Sequence, residues 1–403
     1  MSSLKVDLGP RRYDLDWVRI GAFMLLILYH VGMYYVTWDF HVKSPHASPS
    51  LEPLMMLTSP WRLSLLFLVS GVATAHLLAR GGRFMRSRSA RLLIPLVFGM
   101  AVIVPPQTYL EVVEKVGYGG SFAQFYRLYM TGYHGFCRED CLIMPTWNHL
   151  WFVAYLWVYT LVLYLVVSLA PRVIPCLRQG AERIFAGLGV LLLPIAFLAA
   201  VRIGLVARFP QTHALVGDWY NHASYFPVFV LGFALAGTHA PWTALQRSRW
   251  HALGLGVLAW AALCVYYGIY SGDTDPPHSL IVFMRGVYGA QAWLAIVAVL
   301  GFAHRHLVRD NAARRYLTAA IFPVYILHQT VIIVLAHALQ PAHMAPPVEG
   351  ILLVTATAAA CFLAYEVIRR IRPLQPLFGA GREASVGKGG RDAEGLRAPA
   401  GSF

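Results

Sequence analysis

The chain has 403 residues, of which 58% are hydrophobic and only 13% charged, and its mean hydropathy is +0.55. Because a soluble domain carries about 25% charged residues, this composition excludes an ordinary soluble protein and indicates a polytopic membrane protein. The formal net charge of +14 at pH 7 does not indicate nucleic-acid binding, because the basic residues follow the membrane topology.

Apolar runs long enough to cross a bilayer predict an all-α bundle of about ten transmembrane helices. In chain order, the predicted spans are 17–36, 62–79, 92–110, 149–170, 185–206, 224–238, 251–270, 281–302, 317–338 and 349–368. They belong to one integral membrane domain, residues 1–378. Residues 379–403 are rich in Gly, Ala and Arg and are predicted to be a disordered cytoplasmic tail, because they have little apolar surface to bury.

The basic residues orient these spans. If the N-terminus is cytoplasmic, 24 of the 33 Lys and Arg residues fall in segments on that side. Because cytoplasmic loops carry an excess of Lys and Arg, the sequence predicts that both termini are cytoplasmic. The first apolar run has no small-residue cleavage site, so it is expected to remain as a span.

The first span begins in the stretch DWVRIGAFMLLILYH, residues 16–30, which contains Arg19 and His30. Eleven residues advance a helix by about three turns, so the two side chains share one face and lie roughly 16 Å apart along the axis. Ionisable residues inside a span are functional candidates. The alternatives are that Arg19 only pairs with Asp16 near the surface and that His30 only hydrogen-bonds a neighbouring helix.

Further polar residues are predicted near the outer ends of other spans. Each is explicable as an interfacial residue, but together they predict a polar cavity open to the outside. These residues are Arg62, His149, Arg202, Arg285 and His328.

On the inner side, the segment ARGGRFMRSRSARLLIP (79–95) carries five arginines, among them Arg80, Arg88 and Arg91. Two interpretations stay open. The arginines follow from the topology alone, or they bind the phosphates of a cytoplasmic ligand, which suit guanidinium groups.

Two of the five cysteines, Cys137 and Cys141, lie close together in the outer sequence CREDC. They are able to form a disulfide in an oxidising compartment, and the sequence leaves this open. No metal site is predicted there, because the local sequence has no histidines at ligand spacing.

Six features in chain order resemble the acyltransferase 3 family of membrane O-acyltransferases. They are the pair Arg19 and His30, FLVSG (67–71), RSARLLIP (88–95), HLWF (149–152), YFPVFVLG (225–232) and FPVYILHQ (322–329). The stretches WDFHVKS (38–44), SPWRLSLLFLVSG (59–71) and YEVIRRIRPLQPLF (365–378) resemble the branch of this family that adds succinyl groups to periplasmic glucans.

The resemblance implies a multi-pass enzyme of the bacterial cytoplasmic (inner) membrane. Such an enzyme moves an acyl group, succinyl or acetyl, from cytoplasmic acyl-CoA to a sugar hydroxyl of a periplasmic or cell-surface glucan. Acyl-CoA is expected as the donor substrate, without a metal or prosthetic group. Candidate partners are the glucan or another polysaccharide acceptor, membrane lipid and other glycan-synthesis proteins.

The resemblance also implies roles for individual residues. His30 would deprotonate the sugar hydroxyl or carry the acyl group transiently, with Arg19 near the thioester. The phosphates of CoA would bind Arg88, Arg91 and Arg80. Candidates for contacting the sugar or stabilising the developing oxyanion are Arg62, His149, Arg285, Tyr325 and His328.

Two other classes of function remain open at this stage. A transporter or flippase of a small anionic or glycan substrate would use the same charges to line a translocation path. A structural membrane subunit would tolerate the loss of both Arg19 and His30. Covalent acylation of a glycan that depends on His30 distinguishes the enzyme from both.

Overall fold

A computed structural model describes residues 11–81, 83–137, 141–271 and 274–380. Within these ranges the chain is helical and has no regular β-strand. In chain order the helices are α1 (Tyr13–Tyr35), α2 (Glu52–Thr58), α3 (Arg62–Ala79), α4 (Phe84–Phe98), α5 (Pro105–Val116), α6 (Phe122–Met130), α7 (Trp151–Leu169), α8 (Val173–Ile184), α9 (Gly189–Leu205), α10 (Trp219–Leu235), α11 (Ala240–Ile269), α12 (His278–His306), α13 (Ala312–Leu339), α14 (Pro346–Arg370) and α15 (Leu374–Leu377). From residue 381 onward, the predicted tail lies outside the described residues.

Within the described ranges, seven helical segments are long and apolar enough to cross a membrane. Two bent helix pairs, α4 with α5 and α8 with α9, raise the number to nine if each pair is one span. The predicted count of about ten is therefore not confirmed. The difference lies at the predicted span 224–238, where α10 has only 17 residues, the lower limit for crossing a bilayer.

Most other predicted spans coincide with helices, although several helices extend beyond them. Helix α3 has the predicted limits, whereas α11 begins at Ala240 rather than at the predicted residue 251. The additional three turns or so contain Arg247 and Arg249, and hydropathy does not mark such polar residues as part of a span. A helix continues wherever its backbone hydrogen bonds continue, so its polar end escapes a search for apolar runs.

The third predicted span, 92–110, is bent in the structure. After α4 the chain forms a π-helical turn, Gly99–Ile103, and α5 then begins at Pro105 at an angle of 40°. Proline has no N–H to donate to the preceding turn, so Pro105 and Pro106 interrupt the helical hydrogen bonds. The bend brings Gln107 of α5 against α13, where its amide donates to Thr330 Oγ1 at 2.5 Å.

Helix α1 lies inside the bundle and packs against α3, α12, α13 and α14. We call the end of the bundle that contains Arg19, Arg88 and Arg314 the arginine-rich end. The end that contains His30 and His328 is called the histidine-rich end. Helix α1 runs between the two ends and carries Arg19 at one and His30 at the other.

Helices α3 and α10 approach each other at two glycines, Gly71 and Gly232. A Cβ atom added to Gly71 would lie 2.0 Å from the carbonyl oxygen of Phe229, and one added to Gly232 would lie 2.0 Å from that of Leu68. Small residues at such crossings allow helix backbones to pack closely in membranes. The glycines end two of the quoted motifs, FLVSG and YFPVFVLG, so these two motifs meet in the fold.

The cysteine pair that the sequence left open, Cys137 and Cys141, is joined by a disulfide in the structure. The segment between the two cysteines, residues 138–140, lies outside the described residues.

Candidate active site

A cavity of about 1310 Å³ lies at the arginine-rich end, bordered by α1, α3, α4, α7, α13, α14 and α15. Ten arginines and two aspartates occur among the described residues that line it. They are Arg11, Arg12, Arg19, Arg80, Arg88, Arg91, Arg314, Arg315, Arg369, Arg372, Asp16 and Asp310. The four arginines that the sequence singled out on this side therefore share one cavity. We call it the arginine-rich cavity.

Asp16 does not pair with Arg19. Its carboxylate instead accepts hydrogen bonds from Arg11, at 2.9 Å, and from Arg314. The interpretation of Arg19 as a partner of Asp16 is therefore wrong, because α13 brings a competing guanidinium to that carboxylate. The second aspartate, Asp310, lies in the loop before α13, where a hydrogen bond from Arg314 lowers its pKa.

The side chains of Arg19 and Arg88 are not fully satisfied by the protein. Arg19 Nη2 donates to the carbonyl oxygen of Thr318 at 3.4 Å, but the Nε atoms of Arg19 and Arg88 are buried without an acceptor. A buried donor without a partner costs about 1–3 kcal/mol, and more if it is charged. An anionic ligand in the cavity would supply the missing acceptors.

At the histidine-rich end, His30 of α1 and His328 of α13 form a hydrogen bond of 2.9 Å between Nδ1 and Nε2. Arg19 also contacts α13, through Thr318. The prediction that Arg19 and His30 share one face of α1 is thus confirmed, and that face is directed at α13.

The backbone determines which nitrogens carry protons in this pair. His328 Nδ1 lies 2.6 Å from the carbonyl oxygen of Tyr325, which only accepts, so Nδ1 is the donor. In neutral His328 the other nitrogen, Nε2, is then the acceptor, and His30 Nδ1 donates to it. The lone pair of neutral His30 is consequently on Nε2, which makes no hydrogen bond to any described residue. That nitrogen is available as a general base.

His149 is buried beside this pair and is held in a single tautomer as well. Its Nε2 donates to the carbonyl oxygen of Ile326 at 3.0 Å, and its Nδ1 accepts from Gln107 at 3.4 Å. Its ring packs edge-on against that of His328, with the centroids 5.3 Å apart. Since both nitrogens are occupied, His149 supports His328 rather than offering a second free base.

A polar network around His149 was missed by the sequence analysis. Asn148 donates to Gln107 at 3.2 Å and to His41 at 3.0 Å, and Gln329 also donates to Gln107 at 3.2 Å. These residues come from a loop, from α5, from the turn before α7 and from α13. A sequence signal existed, since His41 and Gln329 lie in quoted motifs. Asn and Gln side chains carry no charge, however, so they are not identified when ionisable residues inside apolar runs are selected.

Three aromatic rings separate the arginine-rich cavity from the histidines. The ring of Phe23 lies 5.1 Å from that of Tyr325 and 6.5 Å from that of Phe152. Among the described residues, the lining of the cavity includes Phe23 and Phe152 but not His30. We call these three residues the ring cluster. Tyr325 is thus buried, with its hydroxyl donating to the carbonyl oxygen of His149, rather than available to stack on a sugar.

The remaining outer residues do not join His149 and His328. Arg62 stacks on the ring of Tyr29 at 3.2 Å and lines a second, smaller cavity together with Arg202. Arg285 lines neither cavity. Of the predicted outer residues, Arg62 and Arg202 therefore share one cavity, and His149, His328 and Arg285 do not line it. Position along a span gives the depth of a side chain, but only the packing of the helices decides which side chains face each other.

Within the described ranges, no group of three His, Cys, Asp or Glu side chains is arranged to hold a metal ion. The nitrogens of His149 bind the carbonyl oxygen of Ile326 and the amide of Gln107. Those of His328 bind the carbonyl oxygen of Tyr325 and Nδ1 of His30.

Apolar spans, a large basic cavity and an oriented histidine at the opposite end of one helix define a multi-pass membrane protein with a candidate active site inside the bundle. A family model described as an acyltransferase domain, that of acyltransferase 3, matches residues 12–366. The chain therefore belongs to the acyltransferase 3 family, as the motifs indicated. This membership supports acyltransferase activity at a membrane.

Curated relatives agree with this assignment. The chain is 26% identical over 393 residues to glucans biosynthesis protein C of Salmonella gallinarum, covering 92% of this chain and 95% of the relative. It is 27% identical over 388 residues to the protein of the same name from Salmonella heidelberg, with the same coverage. No solved structure matches the chain.

Proposed function

We propose that the protein is an O-acyltransferase of the bacterial inner membrane. It moves an acyl group, succinyl or acetyl, from cytoplasmic acyl-CoA to a sugar hydroxyl of a periplasmic or cell-surface glucan. The family and the name of the curated relatives support the reaction class and the glucan. The distribution of Lys and Arg supports an arginine-rich end, and both termini, on the cytoplasmic side.

The observation that carries this proposal is the pair of contacts between α1 and α13. At one end, Arg19 lines a cavity with unsatisfied guanidinium groups, and at the other, His30 presents a free lone pair. A transferase that works across a membrane needs these two properties at opposite ends of one path, because donor and acceptor approach from opposite sides.

The donor would occupy the arginine-rich cavity. Its phosphates are bound by Arg80, Arg88 and Arg91, since guanidinium groups form paired, charge-assisted hydrogen bonds with phosphate oxygens. Arg314 lines the same cavity, where its charge is compensated by Asp16 and Asp310. The thioester arm extends past Arg19 toward the ring cluster. Either Phe23 or Tyr325 changes its rotamer when the donor binds, because the rings close the path between the cavity and His30.

His30 acts as the general base in the transfer. Its Nε2 removes the proton from the sugar hydroxyl as that oxygen attacks the thioester carbonyl. The new C–O bond forms, the C–S bond breaks, and the proton passes from His30 to the departing sulfur of CoA. His328 accepts the hydrogen bond from His30 Nδ1 and stabilises the imidazolium that forms during the step.

Labelled acyl-CoA tests the proposal directly. Membranes containing the protein are supplied with radiolabelled succinyl-CoA or acetyl-CoA and a glucan, and the label on the glucan is measured. We expect transfer with one of these donors and its loss in His30→Ala. Label that remains with CoA in every combination, together with flux of an intact solute, would instead support a transporter.

The lone pair of His30 Nε2 can also attack the thioester itself. In that case the protein would carry an acyl group on His30 before the glucan arrives. Mass spectrometry of the protein after rapid quenching, with donor present and glucan omitted, distinguishes the two routes. An acylated peptide that contains His30 indicates the two-step route, and an unmodified peptide indicates direct transfer.

A further inference from the structure

The smaller of the two cavities lies toward the histidine-rich end and contains Arg62 and Arg202, which have no role in the proposed transfer step. It has a volume of about 170 Å³ and lies between α1, α3, α9, α10 and α12. Its polar lining consists of two arginines surrounded by aromatic, hydroxyl and amide side chains: Arg62, Arg202, Tyr29, Tyr220, Tyr225, Tyr288, His213, Gln211, Ser59, Ser64 and Ser224. We call it the Arg62–Arg202 cavity.

Both guanidinium groups have buried donor atoms without an acceptor, in a buried Arg62 and a partly buried Arg202. Arg62 is only 6% exposed, and its Nε and Nη1 atoms have no hydrogen-bond partner. Arg202 donates from Nη1 to the hydroxyl of Tyr220 at 2.8 Å, but its Nε is also without an acceptor. Within the described part of the chain, neither arginine forms an ion pair, and no carboxylate lines the cavity. The cavity therefore presents positive charge and unpartnered N–H donors to an anion.

The aromatic contacts do not satisfy these charges. Arg62 lies over the ring of Tyr29 at 3.2 Å, and Arg202 lies over that of Tyr288 at 3.4 Å. A ring beneath a guanidinium occupies its flat face, whereas the N–H groups lie in its plane. The stacking thus fixes the orientation of each group and leaves the in-plane donors available. A planar carboxylate has the geometry that such donors bind in pairs.

The volume limits the size of the ligand. Pockets for drug-sized ligands measure about 300–1,000 Å³, and this cavity of about 170 Å³ is smaller than these. A carboxylate with a short carbon stem fits this space, whereas CoA or a nucleotide does not. The tyrosine and serine hydroxyls of the lining are able to donate further hydrogen bonds to the carboxylate oxygens.

We propose that the Arg62–Arg202 cavity binds a carboxylate of one of the two substrates. Tyr29, which stacks on Arg62, directly precedes His30, and the rings of Tyr29 and His30 are 5.8 Å apart. A carboxylate held here is therefore close to the reacting group. The link to a substrate rests on the proposed function. The carboxylate belongs either to the far end of a dicarboxylic acyl group, such as succinyl, or to an acidic acceptor.

Succinate, the free dicarboxylate, tests the binding site without any reaction. The full-length protein in lipid nanodiscs is titrated with sodium succinate and with the neutral analogue succinamide by calorimetry. We expect succinate to bind and succinamide to bind at least tenfold more weakly. Arg62→Gln and Arg202→Gln should each weaken succinate binding at least tenfold. Arg208→Gln, an exposed arginine beyond the end of α9, should bind like the wild type.

Equal binding of succinate and succinamide by the wild-type protein would overturn the proposal, and this comparison does not depend on how any variant folds. Succinate binding that persists in both Arg62→Gln and Arg202→Gln would also overturn it, because the site would then lie elsewhere. The variants Arg62→Lys and Arg202→Lys keep the charge and should retain more binding than the glutamine variants.

Transfer assays identify which substrate carries the carboxylate. If it belongs to the acyl group, Arg202→Gln lowers kcat/KM for succinyl-CoA at least tenfold and that for acetyl-CoA less than threefold. If it belongs to the acceptor, both values fall equally. No change with either donor overturns the assignment to a substrate. If the wild type transfers neither acyl group, the proposed function fails, whereas the succinate titration still decides whether the cavity binds a carboxylate.

Discussion

The arginine-rich cavity and the histidines at the opposite end of α1 differ in whether their polar atoms have hydrogen-bond partners. At the arginine-rich end, the Nε atoms of Arg19 and Arg88 are buried without an acceptor and face a cavity of about 1310 Å³. At the histidine-rich end, both nitrogens of His328 have partners, as do both nitrogens of His149. The first arrangement is suited to an anion that binds and leaves, and the second to a base that must keep one orientation.

This difference explains why the same helix needs two kinds of environment. A site that releases its ligand has to keep donors free in the empty state, and their unsatisfied hydrogen bonds favour binding. A general base, in contrast, works only if its lone pair is directed at the substrate and is not protonated by a neighbour. The hydrogen bonds from His30 to His328, and from His328 to the backbone, meet that requirement.

The largest effect is expected from removing the base. His30→Ala should lower kcat/KM for glucan acylation by about 10³-fold, because general-base catalysis contributes roughly 10²–10⁴-fold. Donor binding at the other end of α1 should remain within threefold of the wild type. Acylation of labelled glucan and calorimetric titration with CoA measure the two quantities. Activity within tenfold of the wild type would remove His30 from the reaction.

The next effect concerns the residue that orients the base. His328→Ala should lower kcat by about 10²-fold with little change in KM for the donor, because His30 loses the acceptor that fixes its tautomer. His328→Gln should recover part of the loss, since an amide oxygen can accept from His30 Nδ1. The double variant with His30→Ala should be no worse than His30→Ala alone, because the pair acts as a unit. Additive losses would contradict this.

At the arginine-rich end, a smaller effect on binding is expected. Arg88→Gln should raise KM for acyl-CoA roughly tenfold and leave kcat nearly unchanged, because a hydrogen bond to a charged group contributes about 1.5–3 kcal/mol. Arg86→Gln on the same helix is the matched control, because Arg86 is exposed and does not line the cavity. Steady-state kinetics with varied acyl-CoA measure the difference. Equal changes in both variants would mean that the arginines act only through overall charge.

The smallest effect on activity is expected from a substitution at the crossing of α3 and α10, away from both ends of α1. Gly232→Ala should destabilise the protein by about 1–3 kcal/mol, because the new methyl group meets the backbone of α3 at Leu68. Gly254→Ala on α11 is the control, because nothing lies within 4 Å of its added Cβ. The apparent melting temperature of the purified protein measures stability. Donor binding and transfer should both fall in parallel with the folded fraction. In His30→Ala, His328→Ala and Arg88→Gln, by contrast, one of the two should change far more than the other.

Several features of the site were predictable because they depend on local sequence. Arg19 and His30 lie on one face of α1 because the helical repeat places them there, and the contacts of both with α13 confirm it. Arg80, Arg88 and Arg91 share a cavity because they lie close together in the chain, at the end of α3 and in the first half of α4. Motifs in chain order indicated the family, which the match to residues 12–366 confirms.

Other features depend on which helices meet. Arg62 and His328 both lie in predicted spans, yet Arg62 lines the Arg62–Arg202 cavity whereas His328 contacts His30. Gln107 reaches His149 only because Pro105 bends the third predicted span. Asp16 pairs with Arg314, almost three hundred residues away, and this leaves Arg19 for the cavity. No pattern along the chain contains this information.

The amino-acid sequence by itself determines that this protein is an integral helical membrane protein of the acyltransferase 3 family with a histidine inside its first span. Hydropathy, charge distribution and motif order are properties of the chain, and no packing is needed to interpret them. The tertiary structure alone decides the tautomer of His30, the separation of the two cavities and the ring cluster between them. These depend on hydrogen bonds and packing between helices that are far apart in the chain, such as α1 and α13.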